Sequence, residues 1–74
     1  MTFSLPKAGR IKAVVYNSLG QQVCDIADAY FEAGEHVFEW NGKNDGQADV
    51  ASGVYFLRVT APDFSASQKM MLVR

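Results

Sequence analysis

Cys24 and His36 are the single cysteine and the single histidine of a 74-residue chain. A cysteine nucleophile needs a base beside it, and His36 is the one imidazole that could serve. A lone cysteine closes no internal disulfide and builds no cysteine-based metal cluster, so Cys24 is read as a small apolar filler. It leaves the redox compartment open. His36 shares an alternate-residue face with Phe38 and Trp40 and is read as a partly buried structural side chain. The carboxylate pairs Glu32/Glu35 and Asp25/Asp28 have the right types for general acid–base work. A chain this short has little material to enclose a substrate around them, so solvated charge is the expected role. Oxygens of Asn41, Asn44, Asp45 and Asp49 could surround a hard cation such as Ca²⁺. They lack the EF-hand spacing, and no bidentate Glu follows at the right distance. Asx turns, in which these side chains bond the local backbone, explain the same residues. The expectation is no catalytic residue, no metal site and no cofactor.

Composition narrows the classes further. Surface scaling has a domain of this size burying about 60% of its unfolded surface, which allows one marginally stable core. Apolar residues at 49% and charged residues at 20% suit a globular chain. Seven basic and eight acidic side chains, net −1, argue against nucleic acid or an anionic membrane as the main partner. The longest uncharged apolar runs, Gly53–Leu57 and Met70–Val73, are far short of the ~20 residues of a membrane span. The start, Met1 to Pro6, has neither the basic nor the apolar region of a signal peptide. The chain is therefore cytosolic, or a piece whose export signal lies elsewhere.

The elements that would position these residues follow a period of two. Arg10 to Tyr16 places Ile11, Ala13 and Val15 on one face, with Lys12, Val14 and Tyr16 on the other. Asn17 to Gly20 reads as a turn, Gly20 supplying positive φ. Glu35 to Trp40 alternates again, His36, Phe38 and Trp40 together and Glu39 opposite. Asn41 to Ala51 is a long polar loop. Gly53 to Ala61 is the most β-rich stretch, with Tyr55, Leu57 and Val59 inward and Arg58 beside Val54 and Phe56 outward. Pro62-Asp63 breaks it, and Ser65 to Val73 makes a last strand with Met70 and Leu72 on one side. Thr2 to Leu5 reads as a short edge strand stopped by Pro6. Gln22 to Asp28 is a strand by its position after a tight turn. Yet Val23, Ile26, Ala27, Tyr30 and Phe31 recur at helical spacing, and both readings stay open. Six or seven short strands at intervals of 8–12 residues predict an all-β, Ig-like antiparallel β-sandwich of about seven strands. It would lack the inter-sheet disulfide, and Trp40 would join its sheets.

Several stretches then match a known pattern in order and spacing. They are Phe3-Ser4-Leu5-Pro6, Val15-Tyr16-Asn17 with Leu19-Gly20-Gln21, Ala33-Gly34-Glu35-His36 and Trp40-Asn41-Gly42. Ala51-Ser52-Gly53-Val54-Tyr55-Phe56 and Lys69-Met70-Met71-Leu72-Val73-Arg74 complete the set. Together they resemble the type A C-terminal sorting domain of the type IX (Por) secretion system. The related Ig-like domain of flagellar hook-capping proteins shares much of the middle. The sorting resemblance implies a non-catalytic module at the end of a larger secreted protein. That module would carry an upstream cargo domain through the periplasm and across the outer membrane of a Gram-negative bacterium. Its implied partners are the type IX translocon and a surface sortase, and its implied location is the cell surface. It also makes Gly20, Gly34, Trp40, Gly53 and Tyr55 the structural motif. The family's Asn-Pro-rich lead-in is missing, which suggests a fragment with an added Met1. Two carboxylates of its loop after the Trp are replaced here by amides, which weakens an inherited cation site.

Two surfaces are expected to meet partners. One is the last strand, Lys69, Met70, Met71, Leu72, Val73 and Arg74, accessible and extendable by strand addition. Strand-paired dimers through a sandwich edge fit the same reasoning. The other is an apolar patch of Val14, Tyr16, Val54 and Phe56 on the face opposite the core. Two further functions compete with sorting. One is a structural hook-cap-like assembly domain. The other is a glycan-binding accessory module of an extracellular hydrolase, its sugar stacked on Tyr16, Tyr30, Phe31 and Phe56. Membrane insertion is not expected.

Overall fold

A computed structural model describes residues 2–63 and 65–73. Six strands are present among them: β1 (Thr2–Leu5), β2 (Gly9–Asn17), β3 (Gln22–Phe31), β4 (Gly34–Val37), β5 (Gly53–Thr60) and β6 (Ser65–Leu72). All pairing is antiparallel. The larger sheet runs β3-β2-β5-β6, and β1 pairs with β4 in a second, two-stranded sheet. This is the all-β, Ig-like sandwich, with six strands where about seven were expected.

All six stretches read as strands from the sequence are present, but the one expected over Glu35–Trp40 is shorter. β4 stops at Val37, so Phe38, Glu39 and Trp40 stand outside any strand. The cause is the partner. β1 and β4 pair antiparallel, with Leu5 across from Gly34 and Thr2 across from Val37, so β4 ends where β1 begins. Pro6, which lacks the N–H a ladder needs, bounds the pair at its other end, beside Gly34. Alternation in Glu35–Trp40 continues, but no described residue of β1 lies beyond Thr2 to pair with Phe38.

The core fills the space between the sheets. Ile11, Ala13 and Val15 of β2 and Tyr55, Leu57 and Val59 of β5 form one wall; Phe3 and Leu5 of β1 form the other, with Phe38 and Ala61 at the margins. Phe38 joins the layers, its ring 6.3 Å from Phe3 and 5.7 Å edge-on from Phe31 of β3. No described buried polar side-chain atom lacks a hydrogen-bond partner. Among the glycines that hold conformations other residues rarely adopt are Gly20 at φ 81° in the β2–β3 turn and Gly34 at φ 133° at the start of β4. The Asn17 side-chain oxygen accepts the Leu19 and Gln21 N–H groups at 3.0 Å each, which closes the first turn.

β3 resolves the helix-or-strand ambiguity of Gln22–Asp28 in favour of the strand. Ala13 faces Ala27 while Val14 faces Asp25, and Val15 faces Cys24 while Tyr16 faces Gln22. Ile26 and Val23 are thus extra residues with no partner of their own, the mark of β-bulges. Each bulge resets the alternation by one position. Val23, Cys24, Ile26, Ala27 and Phe31 all pack against the core, and the spacing that imitates a helix is a strand interrupted twice.

Candidate interaction surface

Alternation along β2, β5 and β6 gives the larger sheet an outer face turned away from the core. Tyr16 lies across from Phe56, and Phe56 across from Lys69; Val54 lies across from Met71, and Arg58 across from Ser67. Tyr16, Val54 and Phe56 are half-buried and Met71 is 71% exposed, so these four form a solvent-facing apolar patch at one end of that face. A groove of about 360 Å³ runs beside it, lined by Tyr16, Asn17, Ser18, Gly20, Phe56, Arg58 and Ser67. Leu19, in the turn between β2 and β3, is exposed as well.

Val14 departs from its expected place in the patch. It belongs to the outer face by alternation and lies outside the core cluster, yet it is only 2% exposed. It sits mid-face between Asp25 of β3 and Arg58 of β5, a position surrounded by longer side chains. The patch therefore consists of Tyr16, Val54 and Phe56, with Met71 taking the place of Val14. The signal for Met71 was its alternation with Met70 and Leu72, whose inward assignment left it pointing out.

The last strand is divided along its length. Met70 and Leu72 are half-buried against the core, facing Tyr55 and Gly53, rather than fully buried. Lys69, Met71 and Val73 are exposed, and Arg74 lies outside the described residues. Lys69 and Arg58 make no ion pair among the described residues; Arg10–Asp28 and Lys43–Asp49 do, at 3.0 Å each and largely exposed. Such exposed pairs are worth little to stability.

The structural motif holds the other end together. Trp40 packs on Tyr55 at 4.9 Å between ring centroids and donates its indole N–H to the Lys43 carbonyl at 2.8 Å. The Tyr55 hydroxyl donates to the Ala51 carbonyl at 2.7 Å, and Gly53 opens β5. Trp40 thus anchors the start of the 41–51 loop from outside any strand. Loop oxygens are engaged with backbone: Asn41 accepts the Lys43 N–H at 3.1 Å, Asn44 the Ala48 N–H at 3.0 Å, and Asp45 the Asp25 N–H at 2.9 Å. The Asp45 N–H in turn meets the Val23 carbonyl at 3.3 Å. An Asx turn at Asn41 and the Asn44–Ala48 bond shape the loop, and Asp45 clips it onto β3 at its bulges. No group of three or more His, Cys, Asp or Glu residues is placed to hold a metal among the described residues.

Neither the Asp25/Asp28 acid–base pair nor the aromatic platform is assembled. Asp28 is tied to Arg10, and the Asp25 carboxylate accepts from the Gln22 side-chain amide at 3.0 Å. Phe31 is turned inward, edge-on to His36 at 5.1 Å and to Phe38. Tyr16 and Phe56 lie on the outer face instead, and Tyr30 is on the edge strand across from Arg10. One flat sugar could not stack on all four.

Cys24 is half-buried beside the loop, in a cleft of about 400 Å³ that also touches Asp25, Ile26, Glu39, Trp40, Asn41 and Gln47. Burial first, then the Asp45 carboxylate, and then Asp25, push its thiol above the ordinary value. All three disfavour the thiolate, which is the reactive form. Alkylation by iodoacetamide should therefore reach its half-maximal rate at a higher pH in the native chain than in the urea-unfolded chain. An equal or lower native midpoint would contradict this account.

No curated protein and no solved structure matches the chain. One family does match: the FlgD Ig-like domain, over residues 2–64. That span takes in β1 to β5, both glycine turns, Trp40 and Tyr55, and stops short of β6. The match overturns the type IX sorting expectation, because it falls on the hook-capping side of the resemblance and no sorting-domain match accompanies it. The Lys69–Arg74 terminus, which carried much of the likeness to sorting domains, lies outside the matched residues. The translocon, the sortase and the cargo-export role inferred from that likeness lose their basis. With most of its length covered, from the first strand to the end of the β5–β6 connection, the chain belongs to the FlgD Ig-like domain family.

Proposed function

We propose that this chain is a non-catalytic structural module that assembles with protein neighbours in a hook-cap-like structure at the bacterial surface. The observation that carries the reading is the family match over residues 2–64. The shape of the molecule agrees with it. A sandwich of this size keeps its apolar material in one thin core, and its grooves lie on the surface rather than around a reacting centre. What it offers is contact area: Tyr16, Val54, Phe56 and Met71 on one outer face, flanked by Arg58 and Lys69. Aromatic and Met side chains on a partly exposed apolar patch suit protein contact.

The test is a Phe56→Asp/Met71→Asp double substitution in the gene of the source bacterium, read by electron microscopy of surface filaments. Hooks should be missing or shortened while the chain accumulates at its normal level and keeps its circular dichroism spectrum. Both positions are on the outer face, so the core is untouched. Normal hooks with the variant chain present would overturn the assembly reading.

A further inference from the structure

The two sheets end in edges of opposite charge. In the larger sheet, β3 is a defended edge: two bulges twist it, and Asp45 of the 41–51 loop bonds its backbone at Val23 and Asp25. β6 is not defended in this way. Its eight residues pair with β5 without a register break, contain no proline, and meet no further strand among the described residues. Its outward side chains are Ser65, Ser67, Lys69 and Met71. Neither Lys69 nor the neighbouring Arg58 has an acidic partner among the described residues.

In the smaller sheet, β4 pairs with β1 on one side and, among the described residues, with no strand on the other. Phe3 and Leu5 point into the core, so their partners His36 and Gly34 lie on the inner face. Glu35 and Val37 are therefore outward, and Val37 is 61% exposed. The β4 edge thus presents an acid followed two residues later by an exposed apolar side chain. The β6 edge presents a base followed two residues later by an exposed apolar side chain. Laid side by side in parallel, the two strands bring Glu35 to Lys69 and Val37 to Met71 in the same register.

We infer that the β6 edge of one copy of this chain receives the β4 edge of a second copy, with Glu35 beside Lys69 and Val37 beside Met71. The inference rests on the assembly reading above and supplies one of its contacts. The joined edges are different parts of the molecule, so each copy keeps one of each for a further neighbour. Contacts of this head-to-tail kind build a ring or a filament, not a closed two-fold dimer. A two-fold β6–β6 pairing centred on the strand would instead set Lys69 close to its own copy, and like charges across strands are unfavourable.

The experiment is sedimentation of the 74-residue chain and its variants over a concentration series at low and high salt. The native chain should associate beyond the dimer, less so at high salt. Glu35→Lys and Lys69→Glu should each weaken association about tenfold, since each turns an attractive cross-strand pair into a repulsive one. The double variant, and an equimolar mixture of the two single variants, should regain it. Both side chains are exposed, so the thermal transition of each variant serves as the check on folding. A native chain that stays monomeric overturns the inference. So does one that forms only dimers indifferent to Glu35→Lys, or single variants whose association the double change does not restore. Failure here with loss of hooks in the Phe56→Asp/Met71→Asp cells would remove this edge contact and leave the assembly reading standing.

Discussion

Leu57→Ala should cost about 2–5 kcal/mol of folding stability, the range for truncating a buried leucine. Leu57 is 1% exposed and sits in the middle of β5, facing Val15 on β2 and Gln68 on β6. Its side chain is held on the core side between the two halves of the larger sheet, where Val15 and Val59 are fully buried and cannot move into the space without leaving their own contacts. The cavity term should therefore add to the transfer term. A domain of 74 residues has on the order of 4–11 kcal/mol in total, so one truncation removes a large share of it. Urea unfolding followed by Trp40 fluorescence measures the change. Met71→Ala, on the exposed side of β6, should shift the midpoint by about 0.5 kcal/mol or less. Equal effects at the two positions would mean that the core does not lie between the sheets as described.

Removal of residues 70–74 should leave a chain without a cooperative unfolding transition at 25 °C. Met70, Met71 and Leu72 face Tyr55, Val54 and Gly53 of β5, so the cut strips the ladder from the end of β5 that carries the Trp40–Tyr55 contact. Met70 and Leu72 both pack against the core. Losing two half-buried apolar side chains costs roughly 2–3 kcal/mol, and each net backbone hydrogen bond adds about 1 kcal/mol. A total of about 4 kcal/mol or more is comparable with the whole stability of so small a domain. Circular dichroism against temperature and amide exchange would read the outcome. A truncated chain that melts cooperatively near the native midpoint would show that β6 is dispensable, and would weaken its candidacy as an assembly edge.

Much of the molecule was legible in local pattern. Ile11, Ala13 and Val15, and Tyr55, Leu57 and Val59, alternate in sequence and line the core as that alternation predicts. The turn at Asn17–Gly20 follows from an Asn able to bond its own backbone and a glycine free to take positive φ. Hook-cap kinship was legible too, as the second of two related resemblances. The preference for the sorting domain rested heavily on the Lys69–Arg74 terminus, the segment that the family match leaves out. Short terminal motifs can resemble a family without belonging to it, whereas the match spans 63 contiguous residues, 2–64.

The interaction surface was only half legible, and Val14 shows why. Its place on the outer face follows from counting along β2, but its burial depends on Asp25 and Arg58, which arrive from two other strands. Exposure of Met71 could be counted in the same way, and so could that of Val37, once Phe38 was known to point inward. What could not be counted was which strands would be left without neighbours.

By itself the sequence determined the class of the fold, the inward residues of β2 and β5, and the positions of the tight turns. These depend on the two-residue period and on backbone preferences of single residues, both written locally in the chain. The tertiary structure decided the bulges that make β3 resemble a helix, the end of β4 at Val37, and the defended and open edges. Each of these is a relation between two strands. A bulge exists only against a partner's register, a strand ends where its partner ends, and an edge is open only when no other segment has reached it.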